Sequence, residues 1–552
     1  MSEIQTTFIS FGELKPDSGE FMNSALVEAV GVYPMGDVYI PIQPIYARSE
    51  EIGSGADPTI VRGHVNQSPE TVDPTNVDRN FHGGNVYVAV DGCIYTAQES
   101  ADPWVVTKMA GGLTIDSDSG NFCGFGPIEL FACGHSSLMQ SRTTGGVSFA
   151  DCITTPGIGD APYPKYVCVI GERVLIANLA NCTNTIGTPD VNPNAVWWSA
   201  TRDPAVFGTS ASHPADRTGF NLLYDDFGGI MGLAGNKEYA LIFKRRAIVR
   251  MDFGEPYGFT FRWIPQSVGT ISHLSICSLG RDTYFWGDPG PCVYRDDQVI
   301  PLAYGKIALT LLETKLGGPN GLASITGSGV DPVNQLVWWT YTYLGVGGYR
   351  FAKLVYCPVT DRFSFAMDAL LAPTTAVWDS AGAITPAQIV SSWGGLNKTG
   401  MPIVSGVYAV QNYEGNTLKL YTFNAESGDR WWDLDLKLST GYFALSLRGG
   451  SVVQRIRPIV RTKAGTTVPD LQVTVNVKNK PWEDPTAYGP FKLSTHGDSR
   501  GFITCPGVGA SQLVQLVLEA PSVGPIQLVP YSTIREIEGL QVEFSVRGDK
   551  GT

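Results

Sequence analysis

The 24 residues from Ile230 to Phe253 read IMGLAGNKEYALIFKRRAIVRMDF and contain three short apolar runs. The runs are Ile230–Ala234, Tyr239–Phe243 and Ala247–Phe253. The first turn contains Gly235-Asn236, a residue pair that favours the backbone angles of a β-hairpin. Short runs rich in Ile, Val, Leu and Phe, bounded by such turns, predict consecutive antiparallel strands. This stretch therefore predicts a small sheet made from neighbouring segments of the chain.

The same pattern recurs on both sides of this stretch, from about residue 84 to residue 430. The recurring strands are Asn85–Val90 with Cys93–Ala97, Tyr166–Ile170 with Arg173–Leu179, Ser275–Leu279 with Thr283–Trp286, Cys292–Arg295 with Gln298–Leu302, Leu336–Tyr343 with Ala352–Pro358 and Arg362–Ala366, and Tyr408–Gln411 with Leu418–Phe423. Many short strands in succession favour a propeller or a sandwich. The spacing is too irregular for a WD40 or Kelch repeat. We therefore predict an irregular, degenerate β-propeller over 84–430, with a barrel or a pair of sandwiches as the alternative.

The two ends of the chain differ from this middle part. Residues 1–83 are irregular and rich in proline, which predicts an extended N-terminal arm with a docking strand. Residues 431–552 contain alternating apolar and polar positions, for example in Leu471–Val477 and Gln512–Leu518, which predict a C-terminal β-sandwich-like domain. Only Ala308–Lys315 and Ser24–Val30 have a helical pattern. The predicted fold class is all-β.

Charge is sparse and acidic. Charged residues make up 16% of the 552 residues, and the net charge is −13. The longest basic run is Lys244-Arg245-Arg246, whereas a protein that grips nucleic acid needs an extended basic surface. An acidic wall lets DNA pass without adhesion because like charges repel. Met1–Phe11 lacks the pattern of a signal peptide, and no apolar run is long enough to predict a transmembrane helix.

Cysteine and histidine patterns give little sign of a metal site. The ten cysteines form no C-x-x-C pair, which favours free core thiols made in a reducing cytoplasm over a disulfide framework or a zinc site. No two of the six histidines are four positions apart, so a helical H-E-x-x-H site is excluded. A dispersed metal site stays open.

Three glycine-rich or acidic stretches resemble functional loops only in part. Gly394–Thr399 lacks the glycine before lysine that a Walker A loop needs, and Cys123–Pro127 has the composition of a turn. Asp116–Asn121 resembles half of a calcium loop but lacks the final glutamate, so a β-turn is the favoured interpretation. We nominate no catalytic, cofactor-binding or metal-binding residue, and we predict no cofactor and no enzymatic activity.

Three tryptophan pairs offer a different hypothesis. The pairs are Trp197-Trp198, Trp338-Trp339 and Trp431-Trp432. Adjacent strand residues point to opposite faces, so one ring of each pair is expected in the core and the other at an interface. The same rings could stack on sugars, and the 52 acidic residues could supply a carboxylate pair for glycoside hydrolysis. A carbohydrate-binding or depolymerising propeller that reads the host surface is therefore the alternative function.

Several stretches, in order along the chain, resemble one family. The first of these stretches consists of Phe11–Asp17, Asn23–Leu26 and Glu28–Pro34. It is similar to the N-terminal segment of the tail tubular protein B proteins of short-tailed bacteriophages, which are also called nozzle proteins, and of the related packaged-DNA stabilisation proteins. Further segments of that family are similar to Trp197–Pro204, to Gly229–Met251, and to Gly269–Ser278 with Tyr284–Asp288. The similarity of Trp482–Glu519 is weaker. The sequence departs from the family at Leu14, where tryptophan is common.

The resemblance implies a structural subunit of the virion tail, assembled in the host cytoplasm. It implies a homo-hexameric ring below the portal and adaptor proteins, in contact with tail fibres, through which DNA passes during genome ejection without sequence-specific binding. A closed ring of this kind needs a repeated head-to-tail interface. A surface with little charge suits permanent interfaces, and exposed strands near the N-terminus could pair with a neighbour's sheet edge. A bacterial propeller acting as an interaction scaffold is a third hypothesis.

Overall fold

The structure is a computed structural model. It describes the following residues: 4–18, 25–41, 45–47, 61–66, 85–90, 92–98, 105–116, 120–143, 148–154, 161–181, 190–208, 218–254, 258–264, 267–308, 311, 324–331, 334–345, 348–370, 387–394, 406–412, 417–423, 430–432, 436–446, 449–462, 470–520 and 534–548. None of the described helices is long and apolar enough to cross a membrane.

The described residues form forty strands. In chain order they are β1 (Ile4–Ser10), β2 (Leu26–Val30), β3 (Val32–Met35), β4 (Val38–Pro41), β5 (Ile45–Ala47), β6 (Val61–Asn66), β7 (Asn85–Val90), β8 (Cys93–Gln98), β9 (Val105–Ala110), β10 (Asn121–Phe125), β11 (Ile128–Ala132), β12 (Gln140–Thr143), β13 (Ala150–Asp151), β14 (Tyr163–Ile170), β15 (Arg173–Ala180), β16 (Val191–Trp198), β17 (Gly219–Leu222), β18 (Ile230–Gly235), β19 (Tyr239–Lys244), β20 (Ile248–Gly254), β21 (Gly258–Trp263), β22 (Cys277–Leu279), β23 (Asp282–Gly287), β24 (Gly290–Arg295), β25 (Gln298–Pro301), β26 (Ser324–Asp331), β27 (Leu336–Gly345), β28 (Gly348–Cys357), β29 (Arg362–Leu370), β30 (Ala387–Gly394), β31 (Gly406–Asn412), β32 (Thr417–Phe423), β33 (Arg430–Trp432), β34 (Leu436–Thr440), β35 (Gly449–Thr462), β36 (Gln472–Lys478), β37 (Thr486–Lys492), β38 (Ile503–Thr504), β39 (Leu513–Ala520) and β40 (Ile534–Gly548). The all-β prediction is confirmed.

Seven sets of four hydrogen-bonded strands form the blades of a β-propeller. Blades one to six are β6–β9, β10–β13, β14–β17, β18–β21, β22–β25 and β26–β29, and blade seven is β30–β32 with β5 as its fourth strand. The first strands of neighbouring blades contact each other, except that a 3-10 turn at His273–Ser275 links blades four and five. Contact between β30 and β6 closes the ring.

Both faces of each blade are covered by neighbouring blades, which explains the nearly continuous apolar strands. All eight residues of β15 and all six of β19 are buried. Separate clusters of apolar side chains fill the spaces between blades one and two, two and three, three and four, and four and five. A sheet that is covered on both faces does not need to alternate apolar and polar residues.

The C-terminal strands form a two-sheet sandwich together with the N-terminal strands. One sheet has the order β2-β34-β39-β36-β37, and it continues into blade six through a parallel pairing of β2 with β29. The other sheet contains β35, β38 and β40, with β1 and β4 on the opposite side of β40 from β35, and β3 beyond β4. A single apolar cluster extends from the sandwich into blades five and six, from Phe544 to Trp286 and Trp339.

The described strands within residues 1–83 do not form a separate arm. β1–β4 belong to the sandwich, β5 completes blade seven and β6 begins blade one. All of the pairing partners that these strands have in the described structure belong to the same chain. The predicted limits at 83/84 and 430/431 stay predictions, although strand pairing includes residues 45–47 and 61–66 in the propeller.

The predicted helix at Ser24–Val30 is wrong, because Leu26–Val30 is strand β2. A bulge between Leu26 and Glu28 lets Leu26 and Ala29 both reach the core, and their spacing of three mimics a helical pattern. Of the other helical candidate, Ala308–Lys315, only residues 308 and 311 lie in the described residues. All nine described cysteines are free thiols, six of them buried, as predicted; Cys182 lies outside the described residues.

Candidate functional site

The strands of each blade run between two ends of the propeller. Polar clusters described below lie at both of these ends. At the connection end, a turn joins the second strand to the third, and the chain passes from the fourth strand to the next blade. At the hairpin end, one turn joins the first strand to the second and another joins the third strand to the fourth. The basic run Lys244-Arg245-Arg246 is in the central turn of blade four and hence at the connection end. Asp296 and Asp297, predicted as turn residues, lie between β24 and β25 at the hairpin end.

Lys244 is fully buried between blades three and four. Its Nζ donates to Asn194 Oδ1 at 2.9 Å and to the Leu223 carbonyl at 2.7 Å, and it forms an ion pair with Asp225 at 2.5 Å. Burial lowers the pKa of Lys244, while the hydrogen bond and charge of Asp225 oppose that shift. The Lys244 ammonium thus links blade four to the segment before it, because all three of its partners lie in blade three or in the connection from blade three to blade four.

The rest of the basic run is only partly available to a ligand. Arg245 forms an ion pair with Asp288, in the central turn of blade five, at 3.0 Å. Arg246 is exposed. Two of the three cations are therefore engaged by carboxylates of the same chain, and the run does not form a basic surface for nucleic acid.

A close backbone approach fixes the connection between blades four and five above Lys244. The amide of Thr270 donates to the Lys244 carbonyl at 3.0 Å. A Cβ on the preceding Gly269 would lie 2.0 Å from that carbonyl oxygen and 2.8 Å from the Ala247 amide. Only glycine therefore allows the two segments to meet at this distance.

The partial calcium loop is a structural cap in the described part of the chain. Asp116 Oδ2 accepts from the His135 amide at 2.7 Å, and Oδ1 accepts from the Ser136 hydroxyl at 3.2 Å. The His135 ring contacts Asn178 Oδ1 at 2.9 Å, and the Asn178 amide donates to the Ile230 carbonyl at 2.9 Å. These contacts connect blades one to four at the connection end. Residues 117–119 of the stretch lie outside the described residues.

Asp297 is the centre of the cluster at the hairpin end. It accepts from the Tyr294 hydroxyl at 2.6 Å, from Arg250 at 2.8 Å and from Arg262 at 2.8 Å. The hydrogen bond from Tyr294 and the two guanidinium groups lower its pKa to about 2. The Arg250 guanidinium also lies 4.1 Å from the centre of the Tyr239 ring. The cluster connects blades four and five through an ionised carboxylate.

No sequence signal predicted this cluster. Asp297 was expected only as a turn residue, because Arg250 and Arg262 come from another blade and are more than thirty residues away. A second carboxylate, Asp282, pairs with Arg295 within blade five and lies close by. Acidic and basic side chains at the hairpin end therefore form ion pairs. Only the fold brings the members of the Asp297 cluster together.

Two of the three tryptophan pairs lie in the core. Trp197 packs between blades two and three, whereas Trp198 packs between blades three and four. Trp338 and Trp339 are completely buried, and the Trp339 indole donates to the Ser275 carbonyl at 2.9 Å. Opposite faces of a strand thus lead to two different blade interfaces, and none of these four rings is open to a sugar. The side chains of Trp431 and Trp432 lie outside the described part of the structure.

The two glycine-rich stretches noted in the sequence are described by the structure to different extents. Cys123–Phe125 ends β10, and Gly126 and Pro127 form the turn that was predicted. Gly395–Thr399 lies outside the described residues. Among the residues that the structure does describe, no three His, Cys, Asp or Glu side chains are grouped so that they could hold a metal ion.

Comparison with known proteins finds similarity only to solved structures, at low sequence identity. No family model matches the chain, and no curated protein matches it. Solved structures that resemble it include virginiamycin B lyase from Staphylococcus aureus (11% identity, 66% of this chain and 100% of that one, TM-score 0.35). Others are the β-propeller domain of the Trilobed protease from Pyrococcus furiosus (10%, 71% and 98%, 0.31) and an exo-β-1,3-galactanase from Phanerochaete chrysosporium (9%, 78% and 97%, 0.26).

The prediction that the chain is not an enzyme is contradicted by this comparison and is withdrawn. A lyase and a galactanase are among the propeller-like structures that resemble it, so this architecture is no argument against catalysis. The TM-scores are below 0.5, and none of these activities is transferred to this chain.

Proposed function

We propose that the chain is a structural subunit of a short-tailed phage tail, a nozzle or tail tubular protein. In this proposal six copies form a ring below the portal and adaptor, and the packaged DNA is held in the ring and leaves through it. The observation on which the proposal rests is the ordered resemblance to that family, from Phe11 to Asp288.

The positions of the resembling stretches support this proposal. Phe11–Pro34 includes β2 and β3, which connect the propeller with the sandwich. Gly229–Met251 is most of the first three strands of blade four, and Gly269 makes the close approach to Lys244 described above. Within Trp197–Pro204, the Ser199 hydroxyl accepts from the Val174 amide at 2.9 Å. The resembling stretches therefore supply strands to both the propeller and the sandwich, together with contacts that hold neighbouring strands and blades.

The charge distribution also supports a conduit. Residues 42–430 contain 25 Lys and Arg against 35 Asp and Glu. Most of the cations described above are already paired with carboxylates, as in Lys244–Asp225 and Arg245–Asp288. A protein with few available cations releases few counterions from DNA and binds its backbone weakly. In the proposed ring, DNA would slide past such a surface without strong adhesion.

The experiment that tests this function is the localisation of the protein in virions. An antibody against the chain is applied to whole phage particles and observed by negative-stain electron microscopy. We expect label at the tail, and rings when the purified protein is mixed with portal and adaptor. Unlabelled virions, together with a protein that stays monomeric with portal and adaptor present, would rule the proposal out.

A further inference from the structure

Three arginine side chains surround one aromatic ring on the outer face of the sandwich. The guanidinium carbons of Arg455, Arg457 and Arg500 lie 5.3, 5.8 and 5.6 Å from the centre of the Phe502 ring. Phe502 does not belong to the core cluster that contains its neighbour Ile503, so its ring lies on the other face of the sheet. The ring is nevertheless only 5% exposed. The three arginines therefore lie around an outward-facing ring, in an arrangement typical of cation–π contacts.

The turn before Phe502 fixes the backbone that carries Arg500. Asp498 Oδ1 accepts from the amides of Arg500 at 2.8 Å and of Phe502 at 3.0 Å. The Asp498 amide donates to the Phe502 carbonyl at 2.8 Å, and the Gly501 amide donates to the Asp498 carbonyl at 2.9 Å. Arg500 is thus held beside the ring before any ligand arrives, which lowers the entropy cost of binding.

The charges of this cluster do not cancel. Arg455 Nε donates to Glu543 at 2.8 Å, and the Arg455 guanidinium lies 3.5 Å from Asp498 Oδ2. Arg500 pairs with the same Asp498 oxygen at 3.3 Å. Two carboxylates therefore face three guanidinium groups. Arg457 is exposed, and no carboxylate among the described residues pairs with it. One positive charge is left over, and it lies at Arg457.

Gln541 adds a neutral donor next to this charge. Arg457 and Gln541 are directly opposite each other in the ladder between β35 and β40, so their side chains share a face. Gln541 is half-buried between two buried neighbours in β40, which places that face outward. Arg457 Nε also lies 3.9 Å from the position that a Cβ on Gly501 would occupy, so Arg457 runs beside the turn of Arg500. Guanidinium and amide N–H groups therefore lie together on one small part of the surface.

These donors fit a small phosphate oxyanion. Guanidinium groups bind phosphate through paired N–H···O hydrogen bonds, and an amide N–H adds a further donor. A phosphate has enough oxygens to accept from Arg457, Arg500 and Gln541 at once. A DNA duplex fits less well, because one uncompensated cation does not offset the repulsion between a polyanion and a chain of net charge −13.

We propose that Arg457, Arg500 and Gln541 form a binding site for a small phosphate oxyanion on the outer face of the sandwich. Arg457 supplies the charge that no described carboxylate offsets, and Arg500 and Gln541 add hydrogen bonds. Asp498 holds the turn of Arg500, and the Phe502 ring supports the guanidinium groups. The site requires neither a ring of subunits nor a virion, so its test is independent of the proposed function.

Phosphate binding to the full chain tests this site. Inorganic phosphate is titrated by isothermal calorimetry, with chloride at equal ionic strength as the reference. Phosphate stays below about 10 mM, so that its general salting effect on protein stability is small. The variants are Arg457→Ala, Arg457→Lys and Gln541→Leu. Arg246→Ala is the control, because Arg246 is an exposed arginine of blade four, outside this cluster. Thermal unfolding in chloride verifies that each variant folds.

We expect the wild type to bind one phosphate per chain. Arg457→Ala should weaken binding at least about tenfold, because charge-assisted hydrogen bonds are lost. Arg457→Lys keeps the charge but not the paired hydrogen bonds, so its affinity should lie between those of the wild type and Arg457→Ala. Gln541→Leu should cause a smaller loss than Arg457→Ala, and Arg246→Ala should bind as the wild type does.

Three results would overturn the site. The first is a wild type that binds no phosphate beyond the chloride reference. The second is an equal change in Arg457→Ala and Arg246→Ala, since phosphate would then respond only to the total charge of the protein. The third is a short DNA duplex that binds more tightly than phosphate and is released by Arg457→Ala, because the ligand would then be a polyanion.

Discussion

The ammonium of Lys244 is buried between two blades and depends on partners from the preceding blade. Removing one member of a buried ion pair leaves the other without compensation, here Asp225 together with Asn194. We expect Lys244→Ala to lower the free energy of unfolding by about 3–5 kcal/mol, measured by urea denaturation. Arg246→Ala is the matched control, and an exposed neighbour of this kind should change stability by at most about 0.5 kcal/mol. Equal effects of the two variants would contradict the role of Lys244.

Asp297 makes the stability of the protein depend on pH in the acid range. Its pKa falls from the ordinary value of 3.8 to about 2 in the folded state. The stabilisation is therefore complete above pH 3.8 and disappears as the pH falls through this window towards 2. Because the carboxylate is partly exposed, we expect the effect to be only about 0.5–1 kcal/mol. Asp297→Asn should be less stable than the wild type at pH 5 by roughly this amount, and urea denaturation should show the difference narrowing at lower pH. A difference that does not change with pH would refute this assignment.

Gly269 is required by the distance between two backbone segments. In Gly269→Ala the new Cβ would lie 2.0 Å from the Lys244 carbonyl oxygen, so the connection between blades four and five must move. We expect a loss of stability of about 3 kcal/mol or more, read from thermal and urea unfolding. Gly258→Ala is the control, since its Cβ would meet no atom within 4 Å. Equal unfolding curves for the two variants would show that the connection adapts without cost.

At the scale of strands and blades, the tryptophans decide between two hypotheses. Trp198 fills the space between blades three and four, and its ring lies 5.2 Å from that of Phe259. We expect Trp198→Ala to reduce stability by about 3–5 kcal/mol, measured by urea denaturation. Trp482→Ala removes an exposed ring and should leave the stability of the monomer nearly unchanged. If Trp198→Ala instead kept full stability and abolished glycan binding, the carbohydrate hypothesis would be favoured.

Individual strands could be predicted from the sequence because their signals are local. β7 and β8 lie where the sequence predicts them, before and after Asp91-Gly92. In the same way, β14 and β15 lie before and after the turn at Gly171. The φ angle of Gly171 is 58°, which its lack of a side chain permits. Short apolar runs with such turns give a reliable pattern for hairpins within one blade.

Contacts between distant segments could not be predicted. β5 pairs with β32, which lies more than 350 residues later, and nothing in the composition of Ile45–Ala47 indicates this partner. The same reason applies to β1, whose partner β40 is the last described strand. The clusters at Lys244 and Asp297 require side chains from different blades. Patterns of two to four residues contain no information about such pairs.

At the scale of the whole molecule, the N-terminal strands connect the two units. β1–β4 pair with strands of the sandwich, β5 and β6 belong to neighbouring blades, and β2 continues the sheet of blade six into the sandwich. The sandwich and blades five and six therefore share one core, and a force on one unit is transmitted to the other. This suits the proposed ring, in which every subunit must resist the pressure of packaged DNA.

The central claim is that copies of this chain form a ring through which DNA passes. Negative-stain electron microscopy of the purified protein, with portal and adaptor present, tests it most directly. We expect six-fold rings with a central hole, seated on the adaptor. Single particles without rings, at every protein concentration and with both partners present, would contradict the claim.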